Sequence, residues 1–186
     1  MSIRNSLLIL IAFLALAVPT ITRGGSLELS VVDESGAQLP CRVLVKSAED
    51  VCFTPESATT IKTGRDNWFI SAGRTTIEVP NGKLLLRVEH GLEFVRFKEH
   101  VDIPKAGVKK TVRLRRWVNM KEHGYLTGEN HLHVDSRQLA PMLAAEGLDF
   151  GSSLTWWRGP DPKLPVPVGK GSTRVLQFAG RRIPTC

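Results

Sequence analysis

Leu27-Glu28-Leu29-Ser30-Val31-Val32-Asp33-Glu34-Ser35-Gly36 opens the patterned part of the 186-residue chain: apolar residues alternate with polar ones, and a turn follows. Strand side chains alternate between faces, so Leu27, Leu29 and Val31 share one face, while Glu28 and Ser30 share the other. The same period of two returns at Cys41 to Lys46, more weakly near Trp68 to Ser71, and again at Thr75 to Val79, Leu84 to His90, Phe94 to Phe97 and Thr111 to Arg115. Leu84, Leu86 and Val88 fall together on one such face. The connectors Asp33-Glu34-Ser35-Gly36, Pro80-Asn81-Gly82 and Pro104-Lys105-Ala106-Gly107 carry the residues that turns require. No helix-length apolar period interrupts residues 26–116, and this pattern predicts an all-β sandwich.

After Arg116 the pattern changes. Tyr125 to Val134 reads as a strand, Gln138 to Glu146 as a short helix with Leu139, Met142 and Leu143 on one face, and Leu148 to Thr155 as a mostly apolar strand. Pro141 suits a helix that begins only a residue or two before it, and Gly147 suits its C-terminal stop. Strand, helix and strand predict a βαβ unit over residues 117–157, the start of a parallel sheet or barrel. Residues 158–186, with Pro160, Pro162, Pro165, Pro167 and Pro184 and no amphipathic period, read as an irregular tail. Gly169-Lys170-Gly171-Ser172-Thr173 is no phosphate loop, because Leu164 stands where the leading glycine belongs and Gly171 where Ser or Thr should follow the lysine.

Residues 1–25 read as a secretory signal peptide. Arg4 precedes an unbroken apolar run from Leu7 to Val18, followed by Pro19 and a polar stretch. Ala15-Leu16-Ala17 offers a small-x-small cleavage site, with a second candidate between Thr22 and Gly25. The run is short for a bilayer span, and a retained anchor is the alternative. The chain is therefore expected to be exported, to the periplasm, the cell surface or the medium, with no membrane span after cleavage. Its net charge of +7 and pI near 9.7 suit an acidic partner. The basic residues are dispersed, however, and Arg113 and Arg115 alternate with Val112 and Leu114 as on a solvated strand face. No nucleic-acid-binding motif surrounds them, so nucleic acid is not expected as a partner. Of the three cysteines, Cys41 and Cys52 flank an apparent hairpin and are candidates for a disulfide after export, while Cys186 stands at the end.

Chemistry concentrates at Glu129-Asn130-His131-Leu132-His133-Val134-Asp135. On a strand, Glu129, His131, His133 and Asp135 point the same way. Two neutral imidazoles side by side, with carboxylates in reach, suit a borderline divalent ion such as zinc, and manganese is the other candidate metal. Spacing alone also fits a polar pair on a half-exposed strand, and Asp135, just before Ser136 and a helix, fits a capping residue. Trp156 and Trp157 read as apolar packing at a sheet end, with a substrate-pocket wall as the alternative. No Ser-His-Asp, Cys-His or paired-carboxylate set competes with the histidines.

The order of features, a leader, a small β-sandwich, Arg116-Trp117 and then Gly124-Tyr125-Leu126-Thr127-Gly128-Glu129-Asn130-His131-Leu132-His133, resembles secreted metallohydrolases with a PHP (polymerase and histidinol phosphatase) domain, notably their carbaryl-hydrolase-like branch. The sandwich half, through Leu29-Ser30-Val31-Val32-Asp33 and Gly36-Ala37-Gln38-Leu39-Pro40-Cys41-Arg42-Val43, resembles an Ig-like, carboxypeptidase-regulatory-like module. The resemblance implies a distorted (β/α)7 barrel with a metal cluster, metal-ligand roles for His131 and His133, and a supporting role for Glu129. It implies hydrolysis of a small-molecule ester or phosphoester by metal-activated water. Many PHP proteins carry Thr-Asp-His at the end of the second strand, where this chain has Leu154-Thr155-Trp156-Trp157. Histidines of later strands are missing too, since His90, His100 and His123 precede the motif. The expectation is thus an incomplete barrel: a truncated N-terminal fragment or degenerate relative of the hydrolase, with little activity alone. A non-enzymatic secreted sandwich that binds a surface protein or glycan is the alternative.

Overall fold

The computed structural model describes residues 24–153, 175–178 and 181–182. Nine strands come first: β1 (Gly25–Val32), β2 (Cys41–Lys46), β3 (Cys52–Phe53), β4 (Thr60–Thr63), β5 (Asp66–Ser71), β6 (Arg74–Val79), β7 (Gly82–Glu89), β8 (Phe97–Ile103) and β9 (Val108–Arg113). One sheet has the order β6-β1-β9, with β6 antiparallel and β9 parallel to β1. The other runs β4-β5-β2-β7-β8, all antiparallel, with β3 paired to the end of β2. Leu27, Leu29, Val31, Ile77, Val79 and Val112 from the first sheet share one buried core with Val43, Val45, Phe69, Leu84, Leu86 and Val88 from the second. This is the arrangement of a β-sandwich, and burying these faces supplies most of its stability.

Several strand assignments shift. Phe94 forms only an isolated bridge to Arg116, and the regular strand is β8, beginning at Phe97. Lys98, Glu99 and His100 are exposed in β8, which is the edge of its sheet, so no apolar alternation marks that half of the strand. β3 and β4 went unread for a similar reason, being short and carrying no buried residue.

The expected Cys41–Cys52 disulfide does not form, since both thiols are free. Cys41 faces Ser71 at the start of β2, whereas Cys52 pairs with Lys46 at its other end. At about 3.3 Å per strand residue, that separates them by roughly 16 Å, far beyond disulfide reach. Cys41 is instead part of the core.

Beyond the sandwich come a 3-10 turn (Met120–His123), β10 (Gly128–Leu132), α1 (Ser136–Ala145), β11 (Phe150–Ser153), β12 (Val175–Phe178) and β13 (Arg181–Arg182). β10 and β11 are parallel with α1 between them, as the βαβ expectation required. β10 is shorter than the Tyr125 to Val134 run, because Tyr125 and Leu126 are exposed and find no sheet neighbour. β12 and β13 extend β11 antiparallel, so part of the expected irregular tail is strand. Pairing rather than intrinsic patterning orders it. Pro141 lies well inside α1, which starts at Ser136, and its missing N–H removes the bond to the Arg137 carbonyl. Residues 1–23 of the expected signal peptide (1–25), Trp156, Trp157 and the Gly169 to Thr173 stretch lie outside the described residues. Among the described residues no helix is long and apolar enough to cross a membrane.

α1 packs on the outside of the larger sheet, against β2 and β5. Its Leu139 and Leu143 are buried, as are Leu44 and Trp68, which face away from the sandwich core. Trp68 lies between two guanidinium groups, Arg42 at 5.1 Å and Arg87 at 4.8 Å from its ring centre. The C-terminal segment therefore sits on a prepared apolar and cationic face of the sandwich.

Candidate metal pair and adjoining cavity

His131 ends β10 together with Leu132, and His133 follows directly. β10 is the edge strand of its sheet, and His131 is exposed. The two Nε2 atoms are 2.9 Å apart, one ring N–H donating to the other ring, with the ring centres 4.8 Å apart and the planes at 73°. Two zinc–imidazole bonds of about 2.0–2.1 Å, at angles from square to tetrahedral, require nitrogens roughly 2.8–3.4 Å apart. The separation falls in that range, and the N–H that one ring donates to the other must leave before both nitrogens can face an ion.

The two carboxylates of the motif are engaged locally. Glu129 Oε1 accepts the backbone N–H of His131 at 2.9 Å, which fixes the strand where the imidazole projects. Asp135 caps α1: its Oδ1 accepts the Arg137 backbone N–H at 2.9 Å, and its Oδ2 meets Arg137 Nη2 at 2.5 Å. The Arg137 side chain, followed by that backbone N–H, draws the Asp135 carboxyl down to about 2. The cap thus engages Oδ1 and the Arg137 side chain engages Oδ2. Among the described residues no group of three or more His, Cys, Asp or Glu is arranged to hold a metal.

β10 also walls a cavity of about 710 Å³ between the sandwich and the βαβ unit, through Glu129 and Leu132. The sandwich contributes the loop after β7, including His90, Glu93 and Phe94, together with Arg116; the other wall includes Glu146 and Asp149. The Arg116 guanidinium lies 4.5 Å from the Phe94 ring centre and pairs with Glu93. Lys121 Nζ reaches Asp149 Oδ1 at 2.5 Å, while Thr127 donates to Asp149 Oδ2 from its N–H at 3.0 Å and its hydroxyl at 3.2 Å. Each wall cation thus has its own carboxylate, and the cavity is not a ready anion site.

His90 is 8 % exposed; its Nδ1–H donates to the Pro40 carbonyl at 2.6 Å, and burial holds its pKa below the usual histidine value. Gly91 lets the sandwich and α1 meet here, because a Cβ at that position would fall 2.1 Å from the Glu146 carbonyl oxygen. The sequence did not disclose this cavity. Its walls come from separated stretches, and its charged residues carry no common spacing. His100 and His123 are both exposed, in β8 and in the 3-10 turn respectively.

No protein-family model, curated protein or solved structure matches the chain.

Proposed function

We propose that the chain is the metal-binding N-terminal part, or a degenerate relative, of an exported PHP-type hydrolase, with the β-sandwich preceding the first βαβ unit of its barrel. The observation that carries this reading is the 2.9 Å separation of His131 Nε2 and His133 Nε2, within the nitrogen spacing of a bound zinc ion once the proton shared by the two rings is lost. The parallel β10-α1-β11 unit is one strand-helix-strand repeat with the pair at the C-terminal end of its first strand, whereas β12 continues the sheet antiparallel rather than as a barrel strand.

In this reading His131 and His133 hold the ion through Nε2, Glu129 fixes the backbone beneath His131, and Asp135 anchors the start of α1 just after His133. When bound, the metal lowers the pKa of water and polarises an ester or phosphoester oxygen. Two imidazoles are fewer ligands than a catalytic zinc site normally has, so little turnover is expected from this chain alone.

Metal affinity tests the proposal. Zinc and manganese binding to the purified chain, followed by calorimetry and elemental analysis, should be saturable and should weaken at least tenfold in His131→Ala/His133→Ala. Equal binding by both proteins, or none by either, would remove the metal role from this pair.

A further inference from the structure

We propose that Asn81-Gly82 is a site of spontaneous covalent modification, at which the backbone nitrogen of Gly82 closes a ring on the Asn81 side chain and the amide group is lost. The Gly82 nitrogen attacks Asn81 Cγ. A C–N bond forms, the Cγ–Nδ2 bond breaks, and Nδ2 leaves as ammonia with the proton that the Gly82 nitrogen gives up. Water then opens the resulting succinimide. Its attack at Cγ gives aspartate, and its attack at the backbone carbonyl carbon of residue 81 gives isoaspartate, in which the chain runs on through the side-chain carbon.

Sequence and geometry both direct the reaction here. The attacking nitrogen belongs to a glycine, and no other asparagine of the chain precedes one. Gly82 is exposed, its φ is +114°, and the space where a Cβ would stand is open, so no side chain shields the nitrogen. It opens β7 opposite Ile103, the last residue of β8, and this end rung is where backbone pairing opens most readily. The amide of Asn119 is held at both ends, Nδ2 donating to Glu122 Oε1 at 2.8 Å and Oδ1 accepting from Arg116 Nη1 at 3.3 Å. Asn81 Oδ1, in contrast, is sealed from water and meets no donor among the described residues.

The modification falls on a joint of the fold. Pro80 and Asn81 carry the chain from β6 in the smaller sheet to β7 in the larger, between the buried Val79 and Leu84. Isoaspartate lengthens that crossover by a backbone atom. Either product also replaces a neutral amide by a carboxylate at a position without a hydrogen-bond donor, which costs stability. The sandwich therefore weakens with age from this crossover.

Holding the purified chain at pH 8 in heavy-oxygen water, with peptide mapping by mass spectrometry at intervals, tests this. Residue 81 should become aspartate and isoaspartate, each with one heavy oxygen, at least tenfold faster than Asn67, Asn119 or Asn130 is modified. Conversion should be slower at pH 5, because the attacking nitrogen must lose its proton. The aged chain should unfold at lower urea than fresh protein, whereas Asn81→Gln aged in parallel should not change, since glutamine must close a larger ring. An Asn81 that stays intact in the folded chain while reacting in urea would overturn the proposal. Conversion to aspartate alone would also overturn it, being direct hydrolysis of the amide without a ring. Equal urea midpoints for fresh and fully converted chain would overturn the loss of stability.

Discussion

Arg42 Nη1 lies 3.1 Å from Glu146 Oε1, tying β2 of the sandwich to the residue that ends α1. Arg42 also meets Glu89, whose side chain is 4 % exposed, with Nη2 2.5 Å from Oε2, and spreads over Trp68. One guanidinium thus joins the sheet's charged outer face to the C-terminal segment.

Arg42→Ala should therefore destabilise the protein by about 1–3 kcal/mol, the cost of leaving largely buried carboxylates short of a charged partner. Burial raises the Glu146 carboxyl, outweighing the attraction of Arg42. A raised folded-state pKa means that its contribution is complete below the usual value of 4.5 and is lost as pH rises through the folded value. Glu146→Gln should flatten that decline. Urea unfolding of the three proteins between pH 4 and pH 8 checks both effects, and a Glu146→Gln profile parallel to that of the parent would refute the second.

His90 gives the opposite slope. Burial, reinforced by Arg116 and opposed by Glu93 and the Pro40 carbonyl, depresses its pKa, so its contribution is present above the usual 6.5 and is lost as pH falls through the folded value. His90→Gln should lose less stability than the parent between pH 7.5 and pH 5. Histidine resonances followed by NMR should place the His90 titration below the usual 6.5.

Packing of α1 against β11 is tight enough to show coupling. A Cβ on Gly151 would lie 2.6 Å from Leu143 Cδ2 and 2.9 Å from Leu132 Cδ1. Gly151→Ala should cost about 1–3 kcal/mol by overpacking, and Leu143→Ala about 2–5 kcal/mol by leaving a cavity. Together they should cost less than their sum, because the truncated leucine vacates the space that the new methyl enters. Additive losses in a denaturant titration would contradict this packing.

The two described thiols should behave differently. Cys41 is in the core and burial pushes its thiol up to about 12, whereas Cys52 is half-exposed and lies beside Asn67, whose N–H points to its sulfur at 3.4 Å. Alkylation at pH 8, mapped by mass spectrometry, should modify Cys52 and spare Cys41 until the protein unfolds. A recovered Cys41–Cys52 disulfide would contradict the register of β2 with β3 and β5.

Much of the fold was legible because its signal is local. Leu27, Leu29 and Val31 lie two residues apart, and that spacing alone puts them on one face of β1. β4 and the first half of β8 were not legible, since an edge strand with exposed side chains needs no apolar alternation. Leu44 was not legible as a buried residue either. It breaks the alternation of β2 because that strand is covered on both faces, by the core and by α1. At the site, the alternation rule placed His131 and His133 side by side, and their nitrogens do meet. It also grouped Asp135 with them, whereas the other reading of Asp135, a capping residue before Ser136 and a helix, is the one the structure shows.

By itself the sequence determined which residues turn inward along each central strand, that a strand-helix-strand unit follows the sandwich, and that two imidazoles stand together at a strand end. These follow from side-chain periods of two and 3.6, which act over neighbouring residues. Tertiary structure alone decided the order β6-β1-β9, the parallel placing of β9 beside β1, the seating of α1 on Leu44 and Trp68, and the cavity beside β10. Those depend on which distant surfaces bury the most apolar area together and which charges they bring into contact, as Arg42 and Glu146 do. No spacing within one segment encodes that choice.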